Sequence, residues 1–214
     1  MSNPDISPIE KQRRLQELLH YIQKLGRDYQ ELIFDCSQMF YKESRQLVLE
    51  LFVGYHAVDG GEAIDNKCIL SHLHELSQND KQIENQWERN ALEITFLRNL
   101  IFDKENTEVE FHTQLVYLYT SSVGSLQSSV EALQGKSLYI FILFIEKVNQ
   151  LEQQDEPELQ SMKDGLYLLL SQREELLLRC KKEFLEFLEI SNYYDAAGIL
   201  QKLENTQFLE ERAV

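Results

Sequence analysis

The chain has 214 residues, 43% hydrophobic and 27% charged, which is long enough for a sizeable core and too apolar for a disordered chain. Its 21 basic residues stand against 36 acidic ones, a formal charge of -15, and a phosphate backbone is repelled by such a surface, so no nucleic-acid partner is expected. Only 8 Gly and 3 Pro punctuate the chain, and with these two helix breakers scarce, long helices are favoured.

Taken from the N-terminus, Met-Ser-Asn-Pro-Asp lacks the apolar core of a signal peptide. Ser7-Pro8-Ile9-Glu10 reads as a helix start: Ser7 caps, Pro8 takes the first helical position, and Glu10 completes a capping box. Leu15, Leu18, Leu19, Ile22 and Leu25 follow at spacings of three and four, with Gly26 as the end. Helical period resumes from Tyr29 to about Val58. Leu32, Ile33, Cys36, Met39 and Phe40 make one stripe there, with a break near Lys42. Asp59-Gly60-Gly61 is a loop. A short helix is expected from Ile64 to Leu76 and a longer one from Ile83 to Phe102, then a polar turn. Thr107 and Glu110 form a second capping box.

Ser121 to Gly135 is small and polar, and reads as a loop or a poor helix. Leu138 to Ile145 is the longest apolar run, eight residues, whereas a bilayer span needs about 20. No direct membrane insertion is expected. As no second strand candidate lies near that run, it reads as a buried helix. Gln150 to Glu158 is a polar linker containing Pro157. Leu166 to Ile190 has the strongest helical pattern, ending at Ser191-Asn192. Asp195 caps a short helix to Leu203, Asn205-Thr206 turns the chain, and a last helix from Phe208 is cut short at Val214.

The fold expected is all-α, with roughly eight to ten helices read from the pattern. A compact bundle and an irregular α-solenoid of helical hairpins both fit. The unfinished last helix favours the solenoid, a single segment over residues 1–214 truncated at its C-terminus.

Chemistry-bearing patterns are sparse. Cys36, Cys68 and Cys180 are odd in number and far apart, so no disulfide framework is implied and a reducing compartment is the simpler reading. Cys68 and His72 share a helix face at i,i+4, but His74 falls about 200° round from His72, so the trio does not read as a metal site. No Walker loop, dinucleotide fingerprint, nucleophile elbow or HExxH motif is present. Lys11, Arg13 and Arg14, and Arg179, Lys181 and Lys182, read as solvated helix faces. Tyr139, Phe141, Phe144, Phe184, Phe187, Tyr193 and Tyr194 read as interhelix core rather than a ligand pocket. No catalytic residue, cofactor or metal is assigned.

Two segments carry a resemblance. Phe187 to Val214 contains Tyr194-Asp195 and then Leu209-Glu210-Glu211-Arg212-Ala213, and Phe96 to Val123 contains His112-Thr113-Gln114-Leu115 and Leu118-Tyr119. In order and spacing these resemble segments of the vacuolar protein sorting thirty-nine and TGF-beta receptor-associated protein family of endolysosomal tethering subunits. The resemblance implies a non-enzymatic, clathrin-repeat-like solenoid segment in endosome-to-lysosome or vacuole transport and vesicle fusion. It further implies a cytoplasmic protein held peripherally on endosomal and lysosomal membranes. Partners would be other tethering-complex subunits, with small GTPases of the Rab class reached directly or through them. His112, Leu115, Tyr119, Tyr194, Asp195, Leu209, Glu211 and Arg212 would then be packing, capping and helix-surface residues. An unrelated helical adaptor or regulatory bundle, such as a subunit of a lysosome-related organelle complex, is the alternative.

Overall fold

The computed structural model describes residues 7–56, 62–149 and 156–203, with side-chain surroundings for all but 137–138, 140–149, 156–159 and 200–203. Among the described residues every regular element is helical. The chain divides into two compact units: Met1–Glu84 with Arg89–Thr107, and Asn85–Glu88 with Glu108–Val214.

In the first unit, α1 (Pro8–Ile22) begins as its sequence dictates, with the Ser7 hydroxyl accepting from the Glu10 amide at 3.2 Å. The Glu10 carboxylate does not close a capping box; it turns to Arg13 and Arg14, each at 2.9 Å. The helix ends at Ile22, short of Gly26, because Gln23 turns inward. The Gln23 side-chain amide, through Nε2, donates to the Glu50 carbonyl at 2.6 Å, which satisfies a polar group in the core. Gly26 instead precedes a 3₁₀ turn, Arg27–Tyr29.

The next periodic stretch is two helices, α2 (Gln30–Glu43) and α3 (Arg45–Val53). The break falls at Ser44, whose backbone is extended (φ -166°, ψ 132°) and whose hydroxyl accepts from the Gln46 amide at 3.2 Å. A serine that can bond local backbone both stops one helix and starts the next. Ile33, Phe40, Val48, Leu51 and Phe52 are then buried between helices, each side chain worth about 1.5–3 kcal/mol. Leu32 and Met39, read as part of the same stripe, remain 47% and 41% exposed. One residue is about 100° on a helix, so neighbours of Ile33 and Phe40 fall off the buried face.

α4 (Asn66–Asn79) is capped by Asp65, which accepts from the Lys67 amide at 3.0 Å. It buries Ile69, Leu70, His72 and Leu73. The helix expected from Ile83 begins at Gln86 as α5 (Gln86–Arg98) and rewinds into a π-helical turn, Asn99–Asp103. Its wider loops close through Lys104 N–H to Asn99 O and Asn106 N–H to Leu100 O, both 3.1 Å.

The second unit is built on α6 (Val109–Asn149), α7 (Glu156–Ile190) and α8 (Ala196–Leu203). α6 starts at Val109, so the cap position falls on Glu108 and not on Thr107. The Glu108 carbonyl accepts from the Phe111 and His112 amides at 3.1 and 3.4 Å. α6 then runs straight through the small, polar stretch Ser121 to Gly135 and through the apolar run at Leu138 to Ile145. Tertiary burial decides this: Leu115, Tyr119, Val123, Leu126 and Val130 lie on one inner face, and packing overrides weak propensity. Pro157 sits in the first turn of α7, where its missing N–H costs nothing. The two long helices are antiparallel, since Gln134 meets Glu174, Tyr119 meets Phe184, and His112 meets Ser191. The loop at Asp59-Gly60-Gly61, the start of the linker before Glu156, the turn at Asn205-Thr206 and the helix from Phe208 lie outside the described residues.

Candidate functional site

Five of the residues named by the resemblance meet in one place in the second unit. His112, Leu115 and Tyr119 project from α6, and Tyr194 and Asp195 stand between α7 and α8. His112 is buried, and its Nδ1 lies 2.6 Å from Oγ of Ser191, 79 residues on. The His112 ring is flanked by Phe187 at 5.9 Å and Tyr193 at 5.3 Å. Next to it, the Asp195 amide donates to Thr113 Oγ1 at 3.0 Å, and Asp195 Oδ1 accepts from the Gly198 amide at 3.1 Å, capping α8. Tyr119 stacks on Phe184 with centroids 5.5 Å apart, and the Tyr194 ring is 6.5 Å from Phe187. Leu115 is fully buried. The described parts of the two quoted segments therefore form one junction. Ser191 and Thr113, which supply its polar contacts, carry no signal in the sequence beyond a helix end and a neighbouring motif residue. Leu209, Glu211 and Arg212 lie outside the described residues.

The aromatic set divides. Phe184 and Phe187 are core, whereas Tyr139 is 62% exposed and Tyr193 47%. Phe141 and Phe144 fall among residues whose side-chain surroundings are not described. The paired basic clusters are solvated faces: Lys11 meets Glu43, Arg13 and Arg14 meet Glu10, Arg179 meets Glu175, and Lys182 meets Glu186.

In the first unit the Cys68, His72 and His74 trio is pulled apart. His74 Nδ1 pairs with the buried Glu93 carboxylate at 2.9 Å. His72 is buried, its ring stacked on Phe34 at 4.1 Å and edge-on to Phe52 at 6.1 Å. Its Nε2 lies 2.5 Å from Ser37 Oγ. Burial pushes His72 below the ordinary histidine range, opposed in part by the charges of Glu75 and Asp35.

Among the described residues two serine–histidine pairs are thus found, and neither presents a nucleophile. Ser37 Oγ gives its single proton to the Phe34 carbonyl at 2.7 Å, and Ser37 is fully buried. Ser191 and His112 are both sealed in the α6–α7 interface. A hydroxyl without access to a substrate cannot do acyl-transfer chemistry. Two of the thiols are likewise poorly poised. Burial, then Asp35, raises Cys36; burial, then Glu183, pushes Cys180 up to about 11. Both therefore stay protonated at neutral pH.

A cleft of about 750 Å³ opens beside His72, between the C-terminal half of α2, the start of α3 and the end of α4. Asp80 organises one wall: it accepts from the Gln82 amide and Tyr41 hydroxyl, each at 2.9 Å, and from Arg45 at 3.1 Å. These donors hold its carboxyl below the ordinary range. Lys42, Glu75 and Lys81 also line the cleft. Comparison of the chain with family models, with curated proteins and with solved structures finds no match.

Proposed function

We propose that the chain is a non-enzymatic scaffold segment of a membrane-tethering complex in endosome-to-lysosome or vacuole transport and vesicle fusion. In this reading its helical hairpins stack as an irregular solenoid and bind other subunits of the complex. Small GTPases of the Rab class engage it directly or through those subunits, and it is held peripherally on the cytoplasmic side of endosomal and lysosomal membranes.

The observation that carries this reading is the apolar surface of α7. That helix holds itself in place with Phe184 and Phe187, yet Leu168 and Leu178 are 62% and 71% exposed. A helix needs one apolar stripe to keep its own fold. Large apolar side chains on further faces are what a stacked neighbour or a partner subunit covers. The antiparallel α6–α7 pair is also the kind of unit from which helical solenoids are stacked. The junction of His112 with Ser191 and of Thr113 with Asp195 supports the reading too, because the described parts of the two segments that carry the resemblance pack together.

Co-elution on a sizing column with purified endosomal tethering subunits tests it. At least one subunit should co-elute with the wild-type chain. The exposed-face variant Leu168→Glu with Leu178→Glu should lose that partner while keeping its helical circular dichroism. The reading fails if no subunit co-elutes, or if the variant binds equally well.

A further inference from the structure

We propose that the cleft between α2, α3 and α4 binds an acidic peptide segment of a partner protein, with Lys42 and Lys81 meeting its carboxylates and His72 Nδ1 accepting one of its backbone N–H groups. The inference concerns the first unit alone and holds whichever complex the chain serves.

The polarity of the cleft is set by one proton. A serine hydroxyl has a single proton to donate, and Ser37 spends it on the Phe34 carbonyl at 2.7 Å. Toward His72, Ser37 Oγ can only accept, so Nε2 of His72 carries the hydrogen. With the ring kept neutral by burial, Nδ1 is left as a bare acceptor. Among the described residues it makes no hydrogen bond. Nor is it among the polar atoms sealed from solvent without a partner, which are Ser77 Oγ, Trp87 Nε1 and Asn99 Oδ1. His72 is 6% exposed and lines the cleft. The cleft therefore presents a fixed acceptor, His72 Nδ1, held by Phe34 stacking and the Ser37 bond and meeting no donor among the described residues.

The charges complete the ligand. Asp80 is occupied by Tyr41, Arg45 and the Gln82 amide, which neutralises Arg45 and leaves Lys42 and Lys81 with no ion pair among the described residues. On a chain of formal charge -15, two unpaired lysines at one cleft mark a place where carboxylates gain rather than lose. A polyphosphate offers acceptors only, and would leave His72 Nδ1 unmet. A peptide backbone brings N–H and C=O groups together, which the side-chain amides of Gln38, Asn79 and Gln82 in the same lining also suit. The volume, about 750 Å³, is on the scale of recognised ligand clefts. Glu75 stands in the lining as the opposing charge, and limits how tightly an acidic segment is held.

Fluorescence anisotropy with the full chain tests this. The probes are a fluorescein-labelled peptide of alternating Glu and Asp and the same peptide with Gln and Asn. The acidic peptide should bind and the amide peptide should not. Lys42→Glu with Lys81→Glu, both exposed positions that leave the core untouched, should raise Kd by about tenfold or more, and Glu75→Gln should lower it. In ¹⁵N spectra of the histidine rings, the His72 Nδ1 signal should move upfield when the acidic peptide is added. The proposal is overturned if both peptides bind alike or neither binds. It is equally overturned if the lysine variant keeps its affinity, or if the His72 signal stays unmoved at saturation.

Discussion

At the residue scale, His72 and the helix glycines give the most direct checks. Burial holds His72 below its ordinary value near 6.5. The unfolded chain takes up a proton near 6.5 and the folded one only at lower pH. Between those values the unfolded state binds more protons, so stability falls as pH falls. The His72 contribution is fully present above about pH 6.5 and is lost as pH drops through the folded value. Urea midpoints measured at about pH 7.5 and 5.5 should show a larger drop for wild type than for His72→Phe, which keeps a ring against Phe34. Equal drops would contradict the account. Gly135 and Gly165 lie within α6 and α7, and a Cβ added at either meets nothing within 4 Å beyond the adjacent backbone of its own helix. Changing both to Ala should therefore raise stability by about 0.5–1 kcal/mol each, read as a higher urea midpoint. Gly198 differs, since a Cβ there would collide with the Asp195 carboxylate that caps α8. Much at this scale was legible in the sequence: Ser7 and Asp195 cap helices as their positions suggest. The pairing of His72 with Ser37, 35 residues away, was not. Local periodicity shows that a histidine lies on an inner face, but not which hydroxyl will face it.

At the scale of elements, the α6–α7 pair depends on a polar contact buried within an apolar interface. Removing one partner of a buried hydrogen bond costs about 1–3 kcal/mol, because the other is left unmet. Ser191→Ala should lose about that much stability. His112→Phe with Ser191→Ala should lose less than the sum of the single changes, with a coupling of about 0.5 kcal/mol or more. Additive losses in urea melts would show that the 2.6 Å contact contributes nothing specific. The sequence was a good guide where pattern and packing agree, as in α1, α4 and the C-terminal half of α7. It left Ser121 to Gly135 open between a loop and a poor helix; the stretch is helical, its weak helix formers carried by burial of Val123, Leu126 and Val130, a tertiary effect that no local window contains. The π-helical turn at Asn99–Asp103 was equally silent, since a one-residue change of winding leaves the apolar spacing almost unaltered.

At the scale of the whole molecule, the all-helical class followed from scarce Gly and Pro and from sustained periodicity, and every described element bears it out. The proposed scaffold function is less legible, because such a role is recognised by what the protein touches rather than by a constellation of reactive groups. The central claim is that this chain works through subunits of an endolysosomal tethering complex. It is tested most directly by tagging the chain at native expression level, crosslinking it in cells and quantifying what is captured by mass spectrometry. The account predicts the subunits of one tethering complex at near-equal abundance, diminished together by Leu168→Glu with Leu178→Glu. Capture of none of these subunits, or of an unrelated set at the same stoichiometry, would contradict it.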